Sequence, residues 1–479
     1  MAAAAEVPVA VITDDRAIHR RSFRNFAAII CAGGRLGRRP ARPGRTVGKD
    51  LGMPRPRIVI VGAGFAGYAA ARHLLRASRG RAEIVLLNPT DYFLYLPLLP
   101  EVATGILEPR RISVPLAATL PGVRVLLGHA GAFDLDARTV EWADPEGNRG
   151  VLGYHRLVLA VGSVNKLLPV PGVTEYAHGF RGIPEALYLR DHLTRQIELA
   201  EQATDPAERR ARCTFVVAGA GYTGTEVAAQ GTLFTAALTA HRPLIRDLPR
   251  WLILDTADRV LPTLDPRLSH SAAQVLRHRG VRVLTGTAVE QAGPDGVRLT
   301  NGEQVPTRTL VWCVGVRPEP LVSGLGLATR DGRLVVDEFL NVPGRPDVFA
   351  CGDAAAVPDV IHPGSLTGKT AHHAVRQGRL VAGNVAASYG HGQRRAYRHR
   401  DLGFVVDLGG WKAAANPFGV ALGGVAGKAV SRGYHLLSMP GNRVRVVADW
   451  MLDGVLTRQG VQLGLVRGSA VPLAADDRN

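Results

Sequence analysis

"CTFVVAGAGYTGTEVAAQG", residues 213–231, sets a short apolar run before Gly219-x-Gly221-x-x-Gly224 and a helix-compatible stretch after it. A strand, a tight turn and a helix that receives a pyrophosphate are spelled this way. The first glycine permits the bend, the second lets a phosphate approach the backbone, and the third lets helix and strand pack closely. The same phrase already stands at 57–75 as "RIVIVGAGFAGYAAARHLL", with Gly62, Gly64 and Gly67 in the corresponding places. One such turn is weak evidence, since glycine-rich turns are common. Two copies, each after an apolar strand and before a helix, predict two dinucleotide-binding units.

The surroundings of the two turns repeat as well. After the first come a helix over 66–78 and a second strand, "AEIVLLN", whose continuous apolar run suits a sheet buried on both faces. A polar, meandering β stretch and the strand "RLVLAVGS" at 156–163 follow. Beyond the proline-rich hinge "LLPVPGV" the series restarts: a helix over about 184–203, the strand "TFVVAGAG", a helix from Thr223, a long excursion to "PRWLILDTADRVLP", and turn-rich β segments to "RTLVWCVGVRP" at 308–318. Gly162, after Val161, and Gly315, after Val314, occupy equivalent places in the two copies. Duplication of one unit is the simplest account.

The residue ending each second strand sorts the ligands, because a carboxylate there accepts ribose hydroxyls and repels a 2′-phosphate. It is Asp255 in the second copy, favouring NADH over NADPH, and the neutral Asn88 in the first. A third segment, "PDVFACGDAAAVP" at 346–358, carries Gly352-Asp353 at a strand end, ahead of a helix expected to start near Thr367. Such a carboxylate can hold a ribityl chain. The helix start can aim its dipole at a flavin ring, a contribution of about 1 kcal/mol.

Composition sets the outer limits. The chain has 479 residues and a formal net charge of +17, from 58 basic and 41 acidic side chains. Much of the excess lies outside the motif-bearing core, with +6 in the tail over residues 1–52, which is expected to be disordered; without aromatic interleaving it does not predict nucleic-acid binding. No apolar run is long enough to span a bilayer. Cys31, Cys213, Cys313 and Cys351 have no paired spacing, so neither a thiol redox couple nor a zinc site is read, and no metal is expected.

Taken together, the three segments resemble the FAD-dependent pyridine-nucleotide oxidoreductases of the glutathione reductase fold, over roughly residues 55–400. Within that superfamily the chain most resembles the type II NADH:quinone oxidoreductases. The likeness rests on "DYFLYLPLLPEVATG" at 91–105, Gly224-Thr225-Glu226 and "TAHHAVRQG" at 370–378. It implies an α/β fold with two Rossmann-like three-layer domains, for FAD and NADH, plus a C-terminal membrane-associating α+β segment. The expected boundaries are a basic tail over 1–53, FAD domain over 54–170 and 321–392, NADH domain over 171–320, and membrane-associating region over 393–479.

The resemblance further implies bound FAD, NADH as co-substrate and a quinone acceptor, menaquinone or ubiquinone, reduced without proton pumping. It places Glu226 near the flavin. Where the family presents two glutamines to the quinone, this chain has His372 and Arg376, and it keeps Gln377. Both replacements can donate to a quinone oxygen, and His372 can pass a proton. In the segment 442–458, Val444, Val447, Met451 and Val455 fall at helical spacing beside Arg443 and Arg445, which suits an anionic membrane surface at the cytoplasmic face of the cell membrane. A homodimer is left open. The rival readings are a reductase for a ferredoxin- or rubredoxin-type carrier and a flavin- and NADH-binding redox sensor.

Overall fold

The computed structural model describes residues 55–399, 403–458 and 460–474; the tail expected over 1–53 lies outside the described residues. Strand β1 (Arg57–Val61) runs through the first glycine turn into α1 (Phe65–Ser78), and β2 (Glu83–Asn88) returns beside it. The short helix α2 (Leu99–Ala103), β3 (Arg124–Leu127) and an antiparallel meander over His129–Asp134, Thr139–Ala143 and Arg149–Gly153 lead to β4 (Arg156–Leu159). Strand β5 (Ser163–Asn165) leaves this unit.

Next come β6 (Ala177–Gly179), α3 (Ile183–Gln202), β7 (Thr214–Ala218), α4 (Tyr222–Thr239), β8 (Arg250–Asp255), α5 (Pro266–His278), β9 (Arg282–Thr285) and β10 (Thr309–Trp312). Strand β11 (Val316–Pro318) returns antiparallel to β5, so the two crossings between units form a ribbon. Strands β12 (Asn341–Val342) and β13 (Arg345–Ala350) and helix α6 (Ala371–Ala387) rejoin the first unit. A small sheet of β14 (Val405–Asp407), β15 (Ala413–Ala415) and β16 (Leu422–Gly423), then helices α7 (Gly424–Ser438) and α8 (Arg443–Val455), close the chain.

The sheet orders show the duplication. The first sheet runs β12-β13-β4-β1-β2-β3, parallel except for edge strand β12, and the second runs β6-β10-β7-β8-β9, parallel throughout. In each, the strand before the glycine turn is central and covered on both faces, so its residues are apolar without alternation. Val59, Ile60, Val216 and Val217 are wholly buried. Helix α6 lies along α1 at a crossing so tight that a Cβ on Gly378 would stand 2.1 Å from the Ala66 carbonyl oxygen.

The C-terminal region grips both units. Trp450 Nε1 of α8 donates to the Glu101 carboxylate, and Arg111 pairs with Asp449 at 2.8 Å. On the other side the Arg279 guanidinium, just past α5, donates to the carbonyls of Leu408 and Gly409, while Asp191 of α3 accepts the backbone N–H groups of Leu463 and Gly464. Helix α7 is inside-out: its buried positions are Gly427, Lys428, Ser431 and His435, whereas Val425 and Leu437 are exposed.

Replacing Gly378 by Val is expected to force α1 and α6 apart, costing about 2 kcal/mol or more and lowering the thermal midpoint by several degrees. Gly383, on the same helix with open space at its Cβ position, is the control. Gly383→Ala should leave that midpoint unchanged or raise it, because alanine is the better helix former.

Candidate active site

The two glycine turns match atom by atom. Gly62 N donates to Leu87 O at 2.9 Å, and Gly219 N to Leu254 O at 2.7 Å. Gly62 and Gly219 take φ of 95° and 100°, a region open to glycine. Their missing Cβ atoms would stand 2.5 Å from Ala160 O and 2.3 Å from Cys313 O. Ala63 N donates to Asn88 Oδ1 at 2.7 Å, and Ala220 N to Asp255 Oδ2 at 2.6 Å. Asn88 and Asp255 are thus the clasps of their own turns, a task that sequence reasoning did not assign to them. Asp255 Oδ1 also accepts from Ala257 N, and Asn88 Nδ2 donates to Thr90.

What the turns leave free is the binding surface. Gly64 and Gly221 are the N-caps of α1 and α4, and neither supplies a side-chain cap to the helix N–H groups. A Cβ at Gly64 or Gly221 would meet no protein atom, and the same holds for Gly162 and Gly315 at the ends of β4 and β10. Each turn is therefore a cradle of glycine backbone with uncapped amides at a positive helix end, the arrangement that takes a pyrophosphate.

Asp353 follows β13, and its Oδ2 accepts from Ser163 Oγ at 2.8 Å, which brings it beside the chain leaving β4. The adjacent helix starts later than expected. Thr370 caps α6 by accepting from His373 N, and Thr367 is instead tied into an extended segment by donation from its backbone N to Val357 O. Its hydroxyl accepts from Gln377 Nε2 at 3.0 Å, while Gln377 Oε1 accepts from Gly352 N at 2.8 Å. Gln377 is 2% exposed, so its amide stitches α6 to the Gly352-Asp353 turn.

His372 and Arg376 diverge although one helical turn apart. The His372 ring stacks on Tyr434 of α7 with centroids 5.2 Å apart and lies 6.4 Å from Phe404, which in turn neighbours Tyr222 at 5.8 Å. Arg376 turns to His399 Nδ1 at 2.6 Å. His372, Tyr434, Phe404 and Tyr222 thus form an aromatic wall suited to a flat ring.

Glu226 stands in the early turns of α4, where its Oε1 accepts the backbone N–H of Asp407 at 2.8 Å. Burial raises its pKa well above the carboxylate range, and the charges of Asp407 and Glu101 add to this against the opposing effect of that hydrogen bond and of Lys428. Asp407 Oδ2 accepts from Lys428 Nζ. Burial likewise raises Glu101 to about 7, with Asp407 contributing. Sequence reasoning missed Glu101, Asp407, Lys428 and Tyr434. One available signal was the i, i+4, i+7 set Lys428, Arg432 and His435 inside an otherwise small and apolar helix.

Glu101 makes a pH prediction. The folded state holds its proton up to about 7, whereas the unfolded chain releases it near the ordinary value of 4.5. Stability is therefore complete below the lower value and falls as pH rises through the higher one, by up to about 3 kcal/mol. Glu101→Gln should remove that slope, giving a variant that gains on the wild type at alkaline pH and not at acid pH. Thermal unfolding across that range reads the difference.

The pyridine nucleotide-disulphide oxidoreductase family matches residues 56–378. The type II NADH:quinone oxidoreductase Ndh of Mycobacterium tuberculosis is 30% identical over 429 residues, spanning 85% of this chain and 89% of the relative. NdhA of the same organism is 36% identical over 321 residues, 64% of this chain and 67% of its own length. Among solved structures, NDH2 from Plasmodium falciparum in complex with NADH superposes with a TM-score of 0.79 at 18% identity, covering 85% of this chain and 100% of that one. The chain is therefore a member of the pyridine nucleotide-disulphide oxidoreductases and, within them, of the type II NADH:quinone oxidoreductases.

Proposed function

We infer that this chain carries two electrons from NADH through FAD to a quinone, with FAD on the β1–α1 turn and NADH on the β7–α4 turn. The observation that carries the assignment is the matched pair of cradles, of which only the second is clasped by a carboxylate, Asp255. The first cradle fits FAD: backbone stands open at Gly64 and Gly162, and Asp353 lies beside Ser163 where a ribityl chain would run. FAD supplies two-electron exchange between the nicotinamide and the quinone.

The chain's own residues bind and orient. Uncapped N–H groups of α1 and α4 receive the pyrophosphates of FAD and NADH, while Gly67 and Gly224 bring each helix against its strand. Orientation of the two rings within reacting distance is the main catalytic contribution. The raised pKa of half-buried Glu226 favours a proton on its carboxyl, which supports reading it as the donor to a quinone oxygen. The wall of His372, Tyr434, Phe404 and Tyr222 is the surface offered to the quinone ring, menaquinone or ubiquinone.

The reading extends to a membrane. No helix among the described residues is long and apolar enough to cross one. The outer faces of α7 and α8 nevertheless expose Val425, Leu437, Val444, Leu452 and Val455, at 55% to 82% of their surface, next to the exposed Arg443 and Arg445. Val447, from the expected stripe, packs partly on the core instead. Apolar side chains beside arginines suit an anionic lipid surface, each arginine adding about 1 kcal/mol at low salt. Because NADH is the reductant, the face assigned is the cytoplasmic one, and Cys213, Cys313 and Cys351 are free thiols in keeping with a reducing compartment.

Anaerobic NADH should bleach the flavin band, and a short-chain quinone should restore it promptly; bleaching without reoxidation by quinone would overturn the acceptor. Asp255→Ala should raise KM for NADH about tenfold or more while flavin content stays unchanged. For the membrane, Val444→Glu with Val455→Glu should abolish cosedimentation with anionic vesicles at low salt without loss of NADH oxidation. Unchanged binding, or a dimer in vesicle-free solution that the pair of substitutions splits, would assign this face to a second copy of the chain.

A further inference from the structure

Helix α7 buries the wrong face for a helix held by hydrophobic contact. Lys428, Ser431 and His435 are 4%, 0% and 4% exposed, while Val425 and Leu437 are 63% and 79% exposed. Burying an ammonium and an imidazole on one stripe carries a desolvation cost that an apolar stripe would avoid. The polar stripe meets the flavin-side and NADH-side units at one point. Lys428 Nζ donates to Asp407 Oδ2, Asp407 Oδ1 accepts from Gly409 N at 2.7 Å, and the backbone N–H of Asp407 donates to Glu226. Glu101 Oε2 accepts from Trp450, whereas Glu101 Oε1 and Ser431 Oγ have no hydrogen-bond partner among the described residues. At the far end His435 Nδ1 lies 3.2 Å from Tyr95 OH.

We propose that the inner stripe of α7, Lys428, Ser431 and His435, together with Asp407 and Glu101, is a proton relay that refills Glu226 during quinone reduction. The proposal rests on the reading of Glu226 as proton donor and adds its supply. The stoichiometry requires one: NADH, one proton and a quinone give NAD+ and a quinol, so each turnover draws one proton from solvent. The Glu226 O–H bond breaks as the quinol O–H bond forms. The carboxylate left behind is met by the Lys428 ammonium and regains its proton from the cluster, which regains one from water.

The charged and titratable groups around this point come from every neighbouring element. They are Glu101 of α2, Glu226 of α4, Arg279 just past α5, His372 of α6, Asp407 of β14, Lys428, Arg432, Tyr434 and His435 of α7, and Tyr95 ahead of α2. Three carboxyl groups sharing a buried site cannot all ionise cheaply. Burial raises Glu101 and Glu226 and lowers His435 to about 4, so protons are favoured on Glu101 and Glu226 and the imidazole is neutral.

The test uses full-length, flavin-loaded enzyme with NADH and either a short-chain quinone or ferricyanide, which accepts electrons without a proton. Lys428→Met should slow quinone reduction by at least about tenfold, more at alkaline than at acid pH, and leave ferricyanide reduction intact. Its infrared spectrum should gain a protonated-carboxyl band as Asp407, deprived of its ammonium, takes up a proton. The double variant Lys428→Met with Asp407→Asn removes both charges together. It should keep the wild-type thermal midpoint and remain slow with quinone. Equal loss with both acceptors, or wild-type quinone rates and spectrum in Lys428→Met, would overturn the relay. If Glu226→Gln retained quinone reduction, the donor reading would fail instead. A slow Glu226→Gln beside a fully active Lys428→Met would sink the relay alone.

Discussion

A Cβ on the third glycine of either turn would meet the carbonyl oxygen of the first, at 1.8 Å for Gly67 and 1.9 Å for Gly224. That contact lets α1 and α4 start immediately beside the strand they follow, and with it the helix N-terminus points at the space above the sheet edge. Every other feature of the candidate site is arranged around this closeness. The clasp from the second strand, Asn88 or Asp255, holds the amide of the next residue and stops the turn from relaxing. The strand across from it, β4 or β10, ends in a glycine that leaves the ligand side clear. Two such cradles joined by the β5–β11 ribbon can set two dinucleotides in opposition.

The C-terminal region converts this pair into something directional. It holds the first unit through Trp450 and Asp449 and the second through Asp407, Leu408 and the stretch at 463–464. It therefore sits where the two units meet and lies against Glu226 through the Asp407 backbone. Helix α7 turns apolar residues outward and polar ones inward, the reverse of a helix packed on a water-soluble core, whereas α8 buries Val446 and Trp450. An outward apolar face suits lipid, and an inward polar face suits a route for protons. Both faces lie on the same fifteen-residue helix, α7.

Much of the fold was legible in the sequence because its determinants are local. A glycine turn needs its glycines within six residues, an apolar central strand declares burial on both faces, and α1, Phe65–Ser78, occupies the 66–78 span that its pattern predicted. The helix after Asp353 was misplaced by four residues, since nothing in "LTGKTAHH" distinguishes a free helix start from one delayed by a Thr370 cap and the docking of Thr367 on Val357. The amides and carboxylates were legible as types and not as partners. Asn88 and Gln377 read as ligand-facing groups, yet their polar atoms are engaged with Ala63, Thr90, Gly352 and Thr367.

Sequence by itself determined that there are two nucleotide cradles and in which order they come, because backbone geometry at a glycine turn is dictated by neighbours a few positions away; that Asp255 and Asn88 clasp those turns, across 35 and 25 positions, was decided by the fold. Tertiary structure alone decided what surrounds Glu226. Its partner Asp407 is 181 positions distant, and Trp450 is 349 positions from Glu101. Burial and mutual repulsion among those acids, which decide where the protons rest, exist only once the chain has folded them into one place.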